Sequence, residues 1–312
     1  MRNNTNTQTI EGRIYQHNLQ VRKVENQASE NYGKEFINGT IDVATDDAGM
    51  NILQVHYSYV TEITKSGKTN GSYTALKRII ENSKTILNDG MDNATMVRLT
   101  PSAALNDFYP QGQEDLVSSP RNEGGFVTIV NSLHPENERS KFTFDALITA
   151  VKHVDADPEK NIVEDYAEIR CAIFNFKNDI LPFTLVARNP GAMKYFEDLD
   201  VSGANPVYTK VWGKIVSKLV TTERKTESAF GEDAVDTFER RVREWVITGA
   251  AKEPYDFGNA DVMTAEDVKK ALADREVYLA EVKKRSDEYY ASRNAGAAAT
   301  TNAAVPEGGF SF

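Results

Sequence analysis

The chain has 312 residues, 40% hydrophobic and 26% charged, with a formal net charge of −10, a profile of ordinary globular protein in one large or two medium domains. No apolar run approaches the length of a membrane span, and residues 1–9 are polar, without the apolar core of a secretory signal. The single cysteine, Cys171, excludes an internal disulfide or a cysteine metal cluster; a buried structural thiol in a cytoplasmic protein is the expectation. Charge adds a constraint. Residues 1–135 carry −3, 136–260 carry −5 and 261–312 carry −2, so any contact with a polyanion must come from the placing of charges on particular faces.

In chain order, strands are predicted near 9–24, 35–44 and 51–60. Residues 36–44 alternate, with Ile37, Gly39, Ile41 and Val43 on one face and Phe36, Asn38, Thr40 and Asp42 on the other. In 51–60, Leu53, Val55, Tyr57 and Tyr59 share a face, which assigns both tyrosines to the core. A polar glycine loop, 65–71, precedes a helix over 72–82 with Ser72 as its N-cap. Strands near 94–100 and 125–130 follow, separated by residues 101–124. This stretch contains Pro101, Pro110 and Pro120 and reads mostly as loop, carrying Phe108, Tyr109 and Arg121.

The pattern then repeats: strands near 142–154, 164–174 and 180–188, a helix at 191–199, and long strands near 207–222 and 235–248. Three strands, a helix and two strands, twice over, is the order of a five-stranded Greek-key barrel of the oligonucleotide/oligosaccharide-binding (OB) kind. Predicted organisation is therefore mainly β: two tandem OB-like five-stranded Greek-key barrels at 1–135 and 136–258, a C-terminal helix at 259–293 and a disordered tail at 294–312. Thr264 and Asp267 have the spacing of a capping box. The helix they open has a thin apolar seam of Val268, Leu272, Leu279 and Val282, interrupted by Arg275.

Cation–aromatic alternation marks the second unit. Lys210, Trp212, Lys214 and Lys218 occupy one face of a strand, and Arg241, Arg243 and Trp245 one face of its neighbour. Single-stranded nucleic acid calls for this pairing, because cations follow phosphates while flat rings stack on bases, at roughly 1–3 kcal/mol per base. An exposed sheet face whose lysine stems cover aromatic surface is the alternative for the same pattern. In the first unit Lys65, Lys68 and Tyr73 surround the glycine loop and form a weaker candidate contact. Ser66-Gly67-Lys68-Thr69 resembles only the end of a phosphate-binding loop, since Glu62 stands where a glycine is required. His17, His56, His134 and His153 lack ligand spacing, no nucleophile elbow occurs, and no cofactor, metal or catalytic site is expected.

Tandem barrel-like units, a cationic aromatic strand pair and a tail ending Gly308-Gly309-Phe310-Ser311-Phe312 together resemble the single-stranded DNA-binding proteins of bacteriophage replication modules. That resemblance implies non-catalytic, sequence-independent binding of single-stranded DNA, or of RNA, in replication or recombination. It also implies docking of replication proteins by Phe310 and Phe312, although only Glu307 is acidic where the family carries several Asp. Other readings are a structural or assembly protein of a virus particle, oligomerising through sheet edges and the C-terminal helix, and an enzyme of the replication apparatus.

Overall fold

A computed structural model describes residues 3–64, 66–157, 162–226, 230 and 234–301, with side chains described for all of these except 218, 220–226, 234–236, 238–240 and 294–301. Its first five long strands are β1 (Asn6–His17), β3 (Glu35–Ala44), β4 (Ile52–Thr61), β5 (Met96–Phe108) and β6 (Val117–Ile129), with a short β2 (Gln20–Lys23) hydrogen-bonded to the outer edge of β3. They close in the order β1-β3-β4-β6-β5 and back to β1, antiparallel throughout except for the β4–β6 contact. Helix α1 (Gly71–Asn82) lies between the third and fourth barrel strands, followed by the single turn α2 (Ile86–Asp89).

The second set repeats this circuit. Strands β7 (Ser140–Val154), β8 (Tyr166–Phe174), β9 (Ile180–Ala187), β10 (Val207–Thr226) and β11 (Ala234–Ala250) close as β7-β8-β9-β11-β10-β7, with β9–β11 parallel and α3 (Pro190–Glu197) between β9 and β10. Both are five-stranded Greek-key barrels, as the strand order predicts. Their cores come from period-2 strands: Ile10, Ile41, Leu53, Val55 and Val97 in the first, Phe144, Ile169, Phe183, Leu185 and Ile215 in the second. Leu76 of α1 and Phe196 of α3 join the same core from the corresponding helices. Burial pushes the Cys171 thiol up to about 12, a structural and unreactive group.

The barrels are joined through their first strands, which pair antiparallel over Asn6–Ile10 and Ser140–Phe144. Each first strand has one register shift against its own second strand, at Ile14/Gln16 in β1 and at Ile148/Ala150 in β7. Superposing these irregularities places Gln8 on Phe142, and those two residues are themselves paired. Hence the seam has the register of a local two-fold: Asn6 faces Phe144 and Ile10 faces Ser140.

Several predicted details change. Residues 101–124 are not a loop: most belong to the β5–β6 hairpin, where Leu105 pairs with Pro120. Proline survives there because its missing N–H is not needed at that position. Asn70, rather than Ser72, caps α1, its side chain accepting from the Ser72 N–H. Helix α4 (Ala265–Thr301) continues beyond 293, so residues 294–301, predicted as disordered tail, are helical, and 302–312 lie outside the described residues.

The capping box does form: the Asp267 N–H donates to Thr264 Oγ1 at 3.1 Å, and the Thr264 N–H donates to Asp267 Oδ2 at 3.0 Å. From there Met263 and Ala271 pack on Leu147, Phe174, Ile180 and Tyr208 of the second barrel. Further along, Arg275 reaches the first barrel, its Nη2 3.1 Å from Asp107 Oδ1 with both side chains buried. The residue that interrupts the apolar seam is thus the one that ties α4 to the β5–β6 hairpin. Lys283 adds a pair with Glu114 at 3.0 Å, and Ser286 Oγ donates to Tyr109 O at 2.9 Å. Among the described residues, no helix is long and apolar enough to cross a membrane.

Two measurements test this framework. Arg275→Ala leaves Asp107 buried without its cation, and urea denaturation should register a loss of about 3–5 kcal/mol; a loss below about 1 kcal/mol, the usual worth of an exposed pair, would contradict the strap. The second concerns Glu11, whose side chain is fully buried beside Arg98 Nε at 2.6 Å and His134 Nδ1 at 2.8 Å. Burial pushes the Glu11 carboxyl up, but hydrogen bonds from Arg98 and His134 outweigh it and bring it down to about 2. A depressed carboxyl stabilises the fold above its unfolded value near 4.5 and loses that contribution as pH falls toward 2. Glu11→Gln should therefore flatten the stability profile across that interval, as read from melts at successive pH values.

Candidate nucleic-acid interface

From Lys210 to Ile215, strand β10 alternates between two faces. Val211, Ile215 and Ser217 point inward, while Lys210, Trp212 and Lys214 lie on the outer face. Trp212 is 41% exposed and seated over Gly249, where a Cβ would collide with the indole. Pairing with β7 sets Trp212 opposite Thr143 and Lys214 opposite Lys141, so a third lysine joins the same patch. This part of the predicted site assembles. The Lys218 side chain is outside the described set, although its backbone pairs with Val242.

Trp245 does not join it. It pairs with Ile215, and residues paired across a ladder share a face, so Trp245 points into the barrel. It is 3% exposed and meets Phe183 edge-on at 4.7 Å. Its predicted role in base stacking is overturned: the two tryptophans occupy opposite faces of the hairpin. Arg241 and Arg243 alternate in step with Trp245 and so face the first barrel, away from Trp212. Arg241 Nη1 donates to Met50 O at 3.1 Å, while burial lowers the Arg243 pKa against a raising influence from Asp42.

In the first barrel Tyr73 is also corrected. It is buried in the core and its hydroxyl donates to Glu35 Oε2 at 3.3 Å, because α1 turns that face onto the barrel. Lys68 is exposed in the loop at 66–69, and Lys65, Phe310 and Phe312 lie outside the described residues.

Two features escape a period-2 reading. A register shift between Ile37 and Gly39 sets Gly39 opposite Tyr57 but Ile37 opposite Val60. That irregularity keeps Tyr57 in the core and re-aims Tyr59 outward. Tyr59 is 48% exposed, its ring 4.7 Å from Phe36, and Arg22 of β2 pairs directly with Phe36. The Tyr57 hydroxyl, by contrast, has its pKa raised by burial. This aromatic–cation row occupies the outer face of the second and third barrel strands, where OB barrels hold oligonucleotides.

The other feature is Phe126, 77% exposed. Through the seam equivalence Leu99 corresponds to Val211, so the rung Thr100–Phe126 corresponds to Trp212–Gly249. Each barrel thus exposes one large ring on the same rung, from opposite strands. The Gly124-Gly125 pair beside Phe126 was the sequence signal available, since a Cβ on Gly125 would collide with Thr100 O.

Donors of metal-ligand type come together among the described residues at His153, Asp155 and Asp165, all exposed, with His153 Nδ1 2.6 Å from Glu197 Oε1. Nothing further marks this cluster as a site.

Truncation separates the two tryptophans. Trp245→Ala should cost about 3–5 kcal/mol of stability, the range for a buried aromatic, and Trp212→Ala much less; similar losses in urea denaturation would contradict their placing on opposite faces.

A family model described as YorF matches residues 5–285. No curated protein matches the sequence. Among solved structures, the wild-type single-stranded DNA binding protein from Thermus aquaticus aligns at 10% identity and TM-score 0.48, covering 83% of this chain and 97% of that one. A deletion mutant of the same protein aligns at 10% identity and TM-score 0.46, covering 82% and 98% respectively.

Proposed function

The chain belongs to the YorF family, and we propose that it binds single-stranded DNA without sequence preference and without catalysis. The observation that carries this reading is the row Arg22, Phe36 and Tyr59 on the outer face of β3 and β4, where an OB barrel presents its ligand surface. Two neighbouring exposed or half-buried rings and an arginine on the adjoining strand supply the two interactions that single-stranded nucleic acid requires. The outer face of β10 supports it with Trp212 between Lys210 and Lys214, and Lys141 alongside. Acidic surface elsewhere keeps binding confined to these faces and makes it strongly salt-dependent. On the resemblance of the sequence, the setting is bacteriophage DNA replication or recombination, with docking of replication proteins by Phe310 and Phe312.

Oligo-dT added at low salt should quench tryptophan fluorescence through Trp212, and raising the salt should restore it. Trp212→Ala, and Phe36→Ala with Tyr59→Ala, should each weaken oligo-dT binding by about 1–3 kcal/mol per lost stack in chains that remain folded by circular dichroism. Unchanged affinity in the folded triple variant would sink the assignment.

A further inference from the structure

The β10–β11 hairpin of the second barrel leans over the first. Asn51 in the β3–β4 turn grips it, donating from Nδ2 to Ile215 O at 3.2 Å and accepting the Ser217 N–H at 2.7 Å. Beneath this clasp lies a pocket of about 270 Å³, lined on the hairpin side by Ser217, Arg241 and Arg243 and on the barrel side by Gln16, Asp42 and Gln54. Its polar groups are unevenly satisfied. Asp42 is content: Gln16 Nε2 donates to one carboxylate oxygen at 2.7 Å and Gln54 Nε2 to the other at 2.8 Å. Ser217 Oγ and Arg243 Nη1, by contrast, are both buried with no hydrogen-bond partner, and Ser217 is only 9% exposed.

Ser217 and Arg243 both line this one small cavity, and buried donors left unpaired are costly unless something accepts from them. The formal charge around the pocket is one positive unit net, from two arginines against one aspartate, which favours an anionic acceptor. A guanidinium fork, a hydroxyl and a second arginine at the mouth suit a tetrahedral oxyanion.

We infer that this pocket between the barrels is a seat for one phosphate group, held by Arg243 and Ser217 with Arg241 at its entrance. A backbone phosphodiester of bound single-stranded DNA is its natural occupant, and for that identification alone the inference rests on the function proposed above. Seated there, a phosphate would touch both barrels at once and fix where a strand crosses from one to the other.

Inorganic phosphate serves as the first probe, with full-length protein melted in phosphate and in chloride at equal ionic strength. Phosphate should raise the melting temperature of the wild type. That increment should vanish in Arg243→Gln and in Ser217→Ala, and persist in Trp212→Ala. Ser217→Ala removes one small oxygen, so it keeps the test open if Arg243→Gln fails to fold. An absent increment in the wild type, or one that survives Ser217→Ala, overturns the seat. The second probe is oligo-dT titrated over a range of salt. A backbone phosphate in the pocket predicts that Arg243→Gln lowers the log–log salt slope by about one. A phosphate increment with an unaltered slope overturns the phosphodiester as occupant and assigns the seat to a free phosphate or phosphomonoester. Wild type that melts higher in phosphate but does not bind oligo-dT overturns the single-stranded DNA reading while upholding the seat.

Discussion

A β-strand has two edges, and β1 and β7 each serve three neighbours. β1 resolves the conflict by dividing its length: Arg13–His17 pair with β3, Asn6–Ile10 pair with β7, and the opposite edge takes β5. β7 divides itself the same way among β8, β1 and β10. The register shifts at Ile14/Gln16 and Ile148/Ala150 fall in the halves that pair with the second strands, where each strand bends away from the seam to close its own barrel. Barrel closure and barrel–barrel attachment are therefore one arrangement. The Asn51 clasp on the β10–β11 hairpin and the long reach of α4 both depend on the relative placing that this shared pairing sets.

Helix α4 shows how that placing is reinforced. Its first turns bury apolar side chains against the second barrel, and its middle reaches the β5–β6 hairpin through Arg275 and Asp107. Apolar burial supplies adhesion without direction; the buried ion pair supplies direction, because guanidinium and carboxylate must meet in one geometry. A helix with a thin seam and an arginine in the middle of it looks poorly suited to docking when taken alone. Between two barrels it suits the surface it crosses.

Strand order, helix positions and the duplication were legible in the sequence because alternation and turn residues are local signals. Sidedness was only partly so. A period-2 reading groups Arg241, Arg243 and Trp245 correctly on one face, yet it does not say which face meets solvent, and here that face is the interior and the barrel junction. It also fails wherever a register shift intervenes: Tyr59 leaves the company of Tyr57 because the β3–β4 ladder slips near Gly39. Pro101 and Pro120 read as breakers, whereas a hairpin tolerates them at positions that need no donor. Tyr73 lay beside an exposed loop in sequence, but α1 turns it inward. The pocket under the clasp was beyond reach, since its walls come from residues near 16, 42, 54, 217 and 243 that only the joining of the two barrels assembles.

The symmetric register of the seam has a consequence of its own. Two identical single-barrel chains meeting through their first strands would need no other geometry than the one about Gln8 and Phe142. Such a pair would separate on dilution, and any change in one copy would be imposed on the other. Carried on one polypeptide, the two halves stay together at any concentration, and the span between their faces is a constant of the molecule. Each half is also free to vary alone, as the rung that holds Thr100 and Phe126 in one and Trp212 and Gly249 in the other shows.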